Sequence, residues 1–294
     1  MSTSGGFRWG RHTRSVTSSP HACRPSYDDL LALAVEAATA AGRLIVEDRP
    51  AGPLQVAATK SSATDVVTIM DQRAEALIVQ VIAAARPGDG FLGEEGADRT
   101  GTSGVTWVVD PIDGTVNYLY GIATYAVSVA ARIGDEVVAG AVVNPVAGEL
   151  FTATLGGGAF LNGRPLAWID PPLLPQALVA TGFGYVAERR ARQAEVLRTL
   201  LPRVRDVRRP GSASLDLCSV AAGRNDAYYE QGTKPWDTAA GGLVASETGV
   251  VLCGLRGRGP SEALVVAARP PLLAALVDLL TELDADAAPE LDGS

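Results

Sequence analysis

The chain has 294 residues, 47% of them hydrophobic, with 33 acidic and 25 basic residues and a formal net charge of −8 at pH 7. That length suffices for a sizeable core in one large or two ordinary domains, no segment approaches the ~20 uninterrupted apolar residues of a membrane span, and the net charge argues against nonspecific nucleic-acid binding. The only histidines are His12 and His21, near the N-terminus, so the body of the chain cannot build a Ser-His-Asp triad, a Cys-His pair or a His-ligated zinc site.

Residues 1–25 carry Arg8, Arg11, Arg14 and Arg24 without an acid and are rich in Ser, Gly and Thr. They read as a disordered tail with no apolar stretch of the kind a secretory signal needs. Ser26 with Asp29 marks a helix start, and Leu30, Leu33, Val35, Ala38 and Leu44 carry the helical spacing to about Asp48. A second helix is expected after Asp71, through Leu77, Ile78, Val81 and Ile82, ending at Pro87-Gly88. The pattern then turns to β over 91–92, 106–109, 125–133, 137–143 and 150–154, which suggests a mostly antiparallel sheet. Gly156-Gly157-Gly158 and Asn162-Gly163-Arg164-Pro165 read as turns. Beyond residue 166 strands at 177–181, 227–229 and 263–267 alternate with helices at 188–201, 214–222 and 237–247. The chain therefore divides into an α+β half at 26–165, an α/β half at 166–283 that completes the site, and an acidic tail at 284–294 with Asp284, Asp286, Glu290 and Asp292.

The richest stretch is Trp107-Val108-Val109-Asp110-Pro111-Ile112-Asp113-Gly114-Thr115. Three apolar β-formers suit a strand covered on both faces, and Pro111 forbids a further ladder bond, so the chain is expected to turn at Asp110. Gly114 allows close approach of backbone to a ligand, and its amide with that of Thr115 would open the following helix as an anion site. Carboxylates and hydroxyls without histidine favour Mg²⁺, Mn²⁺ or Ca²⁺. Cys23, Cys218 and Cys253 are odd in number and lack ligand spacing, as expected of reduced thiols in a cytoplasmic protein.

In order and spacing, Gly93-Glu94-Glu95, Asp110-Pro111-Ile112-Asp113-Gly114-Thr115 and Trp236-Asp237-Thr238-Ala239-Ala240-Gly241 resemble the signatures of the inositol monophosphatase family. Lys60-Ser61-Ser62, Asp71, Gly211-Ser212-Ala213 and Tyr228-Tyr229-Glu230 resemble further elements of it, and the likeness spans about residues 27–280. The resemblance implies an α/β fold, a layered αβαβα sandwich of the inositol monophosphatase and fructose-1,6-bisphosphatase type, active as a homodimer and sensitive to lithium. It implies that Glu94, Asp110 and the Ile112 carbonyl bind one Mg²⁺ and that Asp110, Asp113 and Asp237 bind a second. The metals, two or three per site with Mn²⁺ able to substitute, would bridge phosphate oxygens and activate water. Asp71, Glu94 and Thr115 would serve that water catalytically, and the amides of Gly114 and Thr115 would hold the phosphate. Glu230 would accept substrate hydroxyls, and Gly211, Ser212 and Ala213 would form the sugar-side loop. The substrate contacts would then comprise Glu94, Ile112, Asp113, Gly114, Thr115, Gly211, Ser212, Ala213, Glu230 and Asp237.

Elementary electrostatics agrees with a metal site. Two carboxylates ~4 Å apart repel by ~4 kcal/mol at an effective dielectric of about 20, so four together call for cations. Other roles remain open for single residues: Asp71 and Asp237 stand where helix caps stand, Lys60 suits either a surface or a mobile phosphate loop, and Arg208 with Arg209 suits a solvated turn. Cys218 to Arg224 matches the C-x₅-R of cysteine phosphatases, but no base is at hand to activate the thiol. Two residues rather than one separate Asp110 from Asp113, which rejects an aspartyl-phosphate enzyme, and no Gly-x₄-Gly-Lys-Ser/Thr occurs. The expected function is Mg²⁺-dependent hydrolysis of a small sugar or polyol phosphate, foremost myo-inositol 1-phosphate, with histidinol phosphate or fructose 1,6-bisphosphate as alternatives. A catalytically silent, protein-binding homologue is the alternative of another class. No nucleic-acid or membrane partner is expected.

Overall fold

The computed structural model describes residues 25–49, 58–59 and 66–288. The expected N-terminal tail apart from Pro25, the Lys60-Ser61-Ser62 loop, and Glu290 and Asp292 of the acidic tail lie outside the described residues.

Helix α1 spans Tyr27–Glu47, capped by Ser26, whose side chain accepts from the Asp28 amide. It buries a stripe of small and branched residues, Leu30, Ala34, Ala37, Ala41 and Ile45, which lets it lie close to a sheet. Strands β1 (Ala58–Thr59) and β2 (Val66–Val67) form a short antiparallel ribbon. Helix α2 spans Ile69–Ala85 and starts two residues before Asp71, not after it. Thr68 is the cap, and Asp71 is the acidic partner that reaches back to the cap amide.

Seven strands follow in spatial as well as chain order: β3 (Gly90–Gly93), β4 (Val105–Asp113), β5 (Ala126–Ile133), β6 (Glu136–Asn144), β7 (Glu149–Thr154), β8 (Gly158–Leu161) and β9 (Arg164–Pro165). Only β3 and β4 run parallel, and the remaining pairs are antiparallel. A short helix, α3 (Thr115–Tyr120), links β4 to β5. The expected turn at Asp110 is corrected by the structure. Strand β4 continues to Asp113 across a bulge, with Asp110 opposite Ser128 and Asp113 opposite Ala126. The bulge resolves the difficulty that Pro111 raised, because a bulged residue need not donate to the ladder, and it re-aims the two flanking aspartates.

The second sheet has the order β11-β10-β12-β14-β13. Its strands are β10 (Leu178–Thr181), β11 (Asp206–Arg208), β12 (Ala227–Glu230), β13 (Val251–Cys253) and β14 (Val265–Ala268). Strand β10 runs parallel to β11 and β12, while β14 is antiparallel to β12 and β13. Helices α4 (Ala187–Leu200), α5 (Ala213–Ala221), α6 (Pro235–Ser246) and α7 (Leu272–Glu282) complete the chain. Sequence periodicity had not marked α7, and α6 begins before Asp237, which is its third residue rather than its cap.

Three cores stack these elements into five layers. Leu30, Ile45, Ile78, Trp107, Val109 and Val127 join α1 and α2 to one face of the large sheet. Val108, Ala130 and Val142 on the other face meet Leu217, Val220, Ala240 and Val244 of α5 and α6, which also cover Ala180, Tyr228 and Ala267 of the small sheet. Val179, Ala227 and Val266 on its far face pack under Leu200 of α4 and Leu276 of α7. The result is the αβαβα sandwich that the resemblance implies. The middle layer is thin because its residues are small: a Cβ at Gly241 would lie 2.7 Å from the Ser214 carbonyl oxygen. Gly241→Val should therefore destabilise the protein by about 1–3 kcal/mol through overpacking, read by urea unfolding. An unchanged midpoint would refute this close helix contact.

Candidate active site

A cleft of about 410 Å³ opens at the end of β4, lined by Glu94, Asp110, Asp113, Thr115, Glu230 and Asp237 among others. Strand register brings the first two together. Gly93 pairs with Val109, and the Glu94 amide donates to the Val109 carbonyl at 3.2 Å, so Glu94 leaves β3 beside Asp110. Glu75, one turn beyond Asp71 on α2, secures the loop that follows: its carboxylate oxygens accept from the amides of Glu95 and Ala97, each at 2.9 Å. A Cβ at Gly93 would lie 2.3 Å from Glu75 Oε2, so a larger residue there would push the Glu75 carboxylate out of its place. Sequence reasoning missed Glu75, although an acid four residues after Asp71 on the face shared with apolar Ile78 and Ile82 was the available signal.

The bulge then fans out the donors of β4. Asp110 is buried, and its Oδ1 accepts from the Ile112 amide at 3.1 Å. Asp113 Oδ2 accepts from Ser212 Oγ at 2.7 Å, the Ser214 amide at 2.7 Å and Ser214 Oγ at 2.5 Å, while Oδ1 accepts from the Ala213 amide at 3.2 Å. A carboxylate of the large sheet thus closes the N-terminus of α5, where the helix dipole favours negative charge. The Gly211-Ser212-Ala213 loop is therefore an anchor for Asp113 as well as part of the cleft wall. Gly114 has φ of +97°, and a Cβ there would lie 2.9 Å from the Gly211 carbonyl oxygen. Asn117 ties the same two segments together by donating to the carbonyls of Thr124 and Pro210.

Asp71 lies behind this wall and contacts Thr115. One oxygen, Oδ2, accepts from the Thr68 amide and hydroxyl, which is the cap role. The other, Oδ1, lies 3.1 Å from Thr115 Oγ1, whose hydroxyl is also 3.0 Å from the Ile112 carbonyl. Cap and site are served by different atoms of one carboxylate. Burial pushes Asp71 up to about 6, against the Thr68 hydrogen bonds and with a contribution from Glu95 and Glu94. Burial pushes Asp110 and Asp237 well above the usual carboxylate range, reinforced for Asp110 by Glu94, Asp113 and Asp237 and for Asp237 by Asp113 and Glu94. Glu230, at the end of β12, is pushed up to about 7 by burial despite a 2.9 Å hydrogen bond from Tyr228 and the nearby charge of Arg209.

Among the described residues no three His, Cys, Asp or Glu side chains already stand as a metal cage. What the structure supplies is the donor set: four carboxylates and a backbone carbonyl facing one cleft, all oxygen and mutually repulsive, which fits a hard divalent cation. Asp237 Oδ2 is held by the Lys234 amide at 2.6 Å. Arg209 lines the cleft, whereas Arg208 is half exposed and paired with Asp206; it is solvated as expected, but it ends strand β11 rather than lying in a turn. Cys218 is buried in α5 with its thiol pushed up, and Arg224 is paired with Glu149, so C-x₅-R is not a phosphate loop here.

The family description "Inositol monophosphatase family" matches residues 26–287. The chain belongs to the inositol monophosphatase family. It is a phosphoric monoester hydrolase by that membership. An "Inositol-1-monophosphatase SuhB" of Mycobacterium tuberculosis is 52% identical over 231 residues, covering 74% of this chain and 80% of that one. The extragenic suppressor protein suhB of Bartonella henselae superposes with a TM-score of 0.81 at 36% identity, covering 86% of this chain and 99% of its own. A "Nus factor SuhB" of Escherichia coli is 40% identical over 230 residues, covering 78% of this chain and 86% of its own. Among the described residues no helix is long and apolar enough to cross a membrane.

The raised carboxyls of this inositol monophosphatase family site set a pH dependence. A carboxyl whose folded pKa lies above its unfolded value binds protons more tightly in the folded state, so the stability it contributes is lost as pH rises through the folded pKa. With Asp71 at about 6 and Glu230 at about 7, the metal-free protein should melt at a higher temperature at pH 5 than at pH 8. Added Mg²⁺ should raise the melting temperature more at pH 8. A metal-free protein more stable at pH 8 would overturn this electrostatic account.

Proposed function

We propose that the chain hydrolyses a small polyol or sugar phosphate monoester with the aid of Mg²⁺, and that myo-inositol 1-phosphate is its preferred substrate. The observation that carries this reading is the placement of the Thr115 hydroxyl, 3.1 Å from the buried Asp71 carboxylate, at the end of β4 where Glu94, Asp110 and Asp113 face the same cleft. Glu94, Asp110, the Ile112 carbonyl, Asp113 and Asp237 would hold the metal ions, with Mn²⁺ able to replace Mg²⁺. Bound there, divalent cations would neutralise the phosphate and lower the pKa of water.

The chain's own groups supply the rest. Thr115, oriented by the Ile112 carbonyl, accepts a hydrogen bond from the attacking water while its own proton leans on Asp71 Oδ1. Asp71, its pKa raised to about 6 by burial, takes up the proton that Thr115 passes on as water attacks phosphorus, and the alcohol leaves as the P–O bond breaks, its oxygen taking a proton from solvent water. The amides of Gly114 and Thr115 face the phosphate oxygens. Glu230 faces the alcohol portion, where a carboxylate suits hydroxyl donors, and this favours a polyol. A homodimer and lithium inhibition complete the reading that family membership supports.

The name of the Escherichia coli relative supports a second reading, a regulatory protein partner on the same scaffold. The acids expected to bind metal are all present in this chain, and that favours the hydrolase. Asp110→Asn should reduce phosphate release from myo-inositol 1-phosphate by two orders of magnitude or more while the fold, read by circular dichroism, stays intact, and EDTA should abolish turnover until Mg²⁺ is restored. Retained turnover in Asp110→Asn would remove that residue from the metal assignment. A purified protein that releases no phosphate from inositol, histidinol, fructose or other sugar phosphates with Mg²⁺ would favour the regulatory reading.

A further inference from the structure

The cleft has lining residues that the acidic motifs do not explain, among them Gly184, Tyr185, Arg189 and Gly232. Arg189 belongs to the first turn of α4, where a positive charge gains nothing from the helix dipole. Its side chain runs through a slot made of glycine. A Cβ at Gly184 would lie 2.7 Å from Arg189 Cδ, and one at Gly232, whose φ is +96°, would lie 2.5 Å from Arg189 Nη1. The same loop leaves room for the neighbouring acid, since a Cβ at Gly182 would lie 2.0 Å from Glu230 Oε2. Gly182 thus leaves room for the Glu230 carboxylate, and Gly184 and Gly232 leave room for the Arg189 side chain.

Arg189 is half-buried, and among the described residues its Nε is enclosed without a hydrogen bond and no ion pair engages it. Arg73, Arg86, Arg208, Arg224 and Arg256, none of which lines the cleft, pair with acids. Lys234, which does line it, is paired with Glu262 at 2.6 Å. Arg209 lies near enough to Glu230 to oppose its rise in pKa, whereas Arg189 is not among the groups that do. A half-buried guanidinium with free donors, held in a shaped slot on a ligand cleft, is an oxyanion receptor awaiting its ligand.

We propose that Arg189 is a specificity-determining residue of this cleft, which receives a second anionic group, a phosphate or a carboxylate, carried by the substrate on the side away from the reacting phosphate. The proposal rests on the reading of the acidic end as the hydrolytic end. It adds to Glu230, which reads hydroxyls, a separate reader for negative charge.

The test compares two substrates that share the reacting group, D-glucitol 6-phosphate and D-glucitol 1,6-bisphosphate, whose flexible chain can span the cleft. In Arg189→Ala the ratio of kcat/KM for the bisphosphate to that for the monophosphate should fall by about 10–100-fold, the size expected for losing a charge-assisted hydrogen-bonded pair. Arg189→Lys should restore part of the ratio. Gly184→Ala, which leaves the charge but closes the slot, should lower the ratio in the same direction. Glucitol 6-phosphate with a carboxylate in place of the second phosphate, 6-phosphogluconate, separates the two sources of charge: a fall for it as well assigns a general anion site, and a fall for the bisphosphate alone assigns a phosphate site. Calorimetric binding of the bisphosphate and monophosphate to wild type and Arg189→Ala gives the same comparison without turnover. A protein that hydrolyses neither compound but loses bisphosphate affinity in Arg189→Ala would sink the hydrolase reading and keep the subsite. A ratio unchanged in Arg189→Ala, or equal losses on both compounds, overturns the proposal.

Discussion

Like charge held at close quarters is the constraint on which this structure depends. Glu94, Asp110, Asp113 and Asp237 face one cleft, and their mutual repulsion and burial push the carboxyls of Asp110 and Asp237 far from their ordinary values. Such an arrangement persists only if each acid is fixed by something that cannot yield. The fixings are backbone amides: those of Ile112 for Asp110, of Ala213 and Ser214 for Asp113, and of Lys234 for Asp237. Amides anchored in a strand bulge and two helix N-termini are more rigid than side chains, and they stabilise negative charge without neutralising it.

The five-layer sandwich makes those anchors meet. Strand β4 is covered on one face by α1 and α2 and on the other by α5 and α6, and it carries Trp107, Val108 and Val109 buried between them. The small residues of α5 and α6 bring their N-termini against the end of β4, and the bulge at Asp110 to Asp113 turns both aspartates toward them. Helix α2 contributes from the opposite side, since Asp71 backs Thr115 and Glu75 holds the Glu94 loop. Stability and site geometry are therefore the same set of contacts, which explains why polar residues as costly as Asp71 and Asp110 sit where a core would otherwise be apolar.

Other residues of the cleft follow a different rule. Glu230 and Arg189 are lodged by the absence of side chains at Gly182, Gly184 and Gly232 rather than by dense hydrogen bonding. The acidic cluster is held by many hydrogen bonds, whereas Glu230 and Arg189 sit in space that glycines leave open.

Much of this was legible in the linear chain. The caps at Ser26, the strand-forming run before Asp110, the antiparallel meander through residue 154 and the three acidic motifs are all local, governed by periodicity, propensity and short spacing. The structure corrected the expected turn at Asp110 because a bulge depends on the partner strand. It also moved Asp71 and Asp237 inside their helices, because a helix start is set by which amides find acceptors. Helix α7 escaped notice since its apolar run looks the same whether it packs on a sheet or not. What the chain by itself determined is the identity of the chemistry: oxygen donors, no histidine, and two residues between paired aspartates. What only the tertiary structure decided is which atoms serve it. Whether Asp71 only caps its helix or also reaches Thr115, whether Ser212 holds Asp113, and whether Arg189 or Arg208 faces the cleft depend on contacts between segments distant in sequence, and no local pattern encodes those distances.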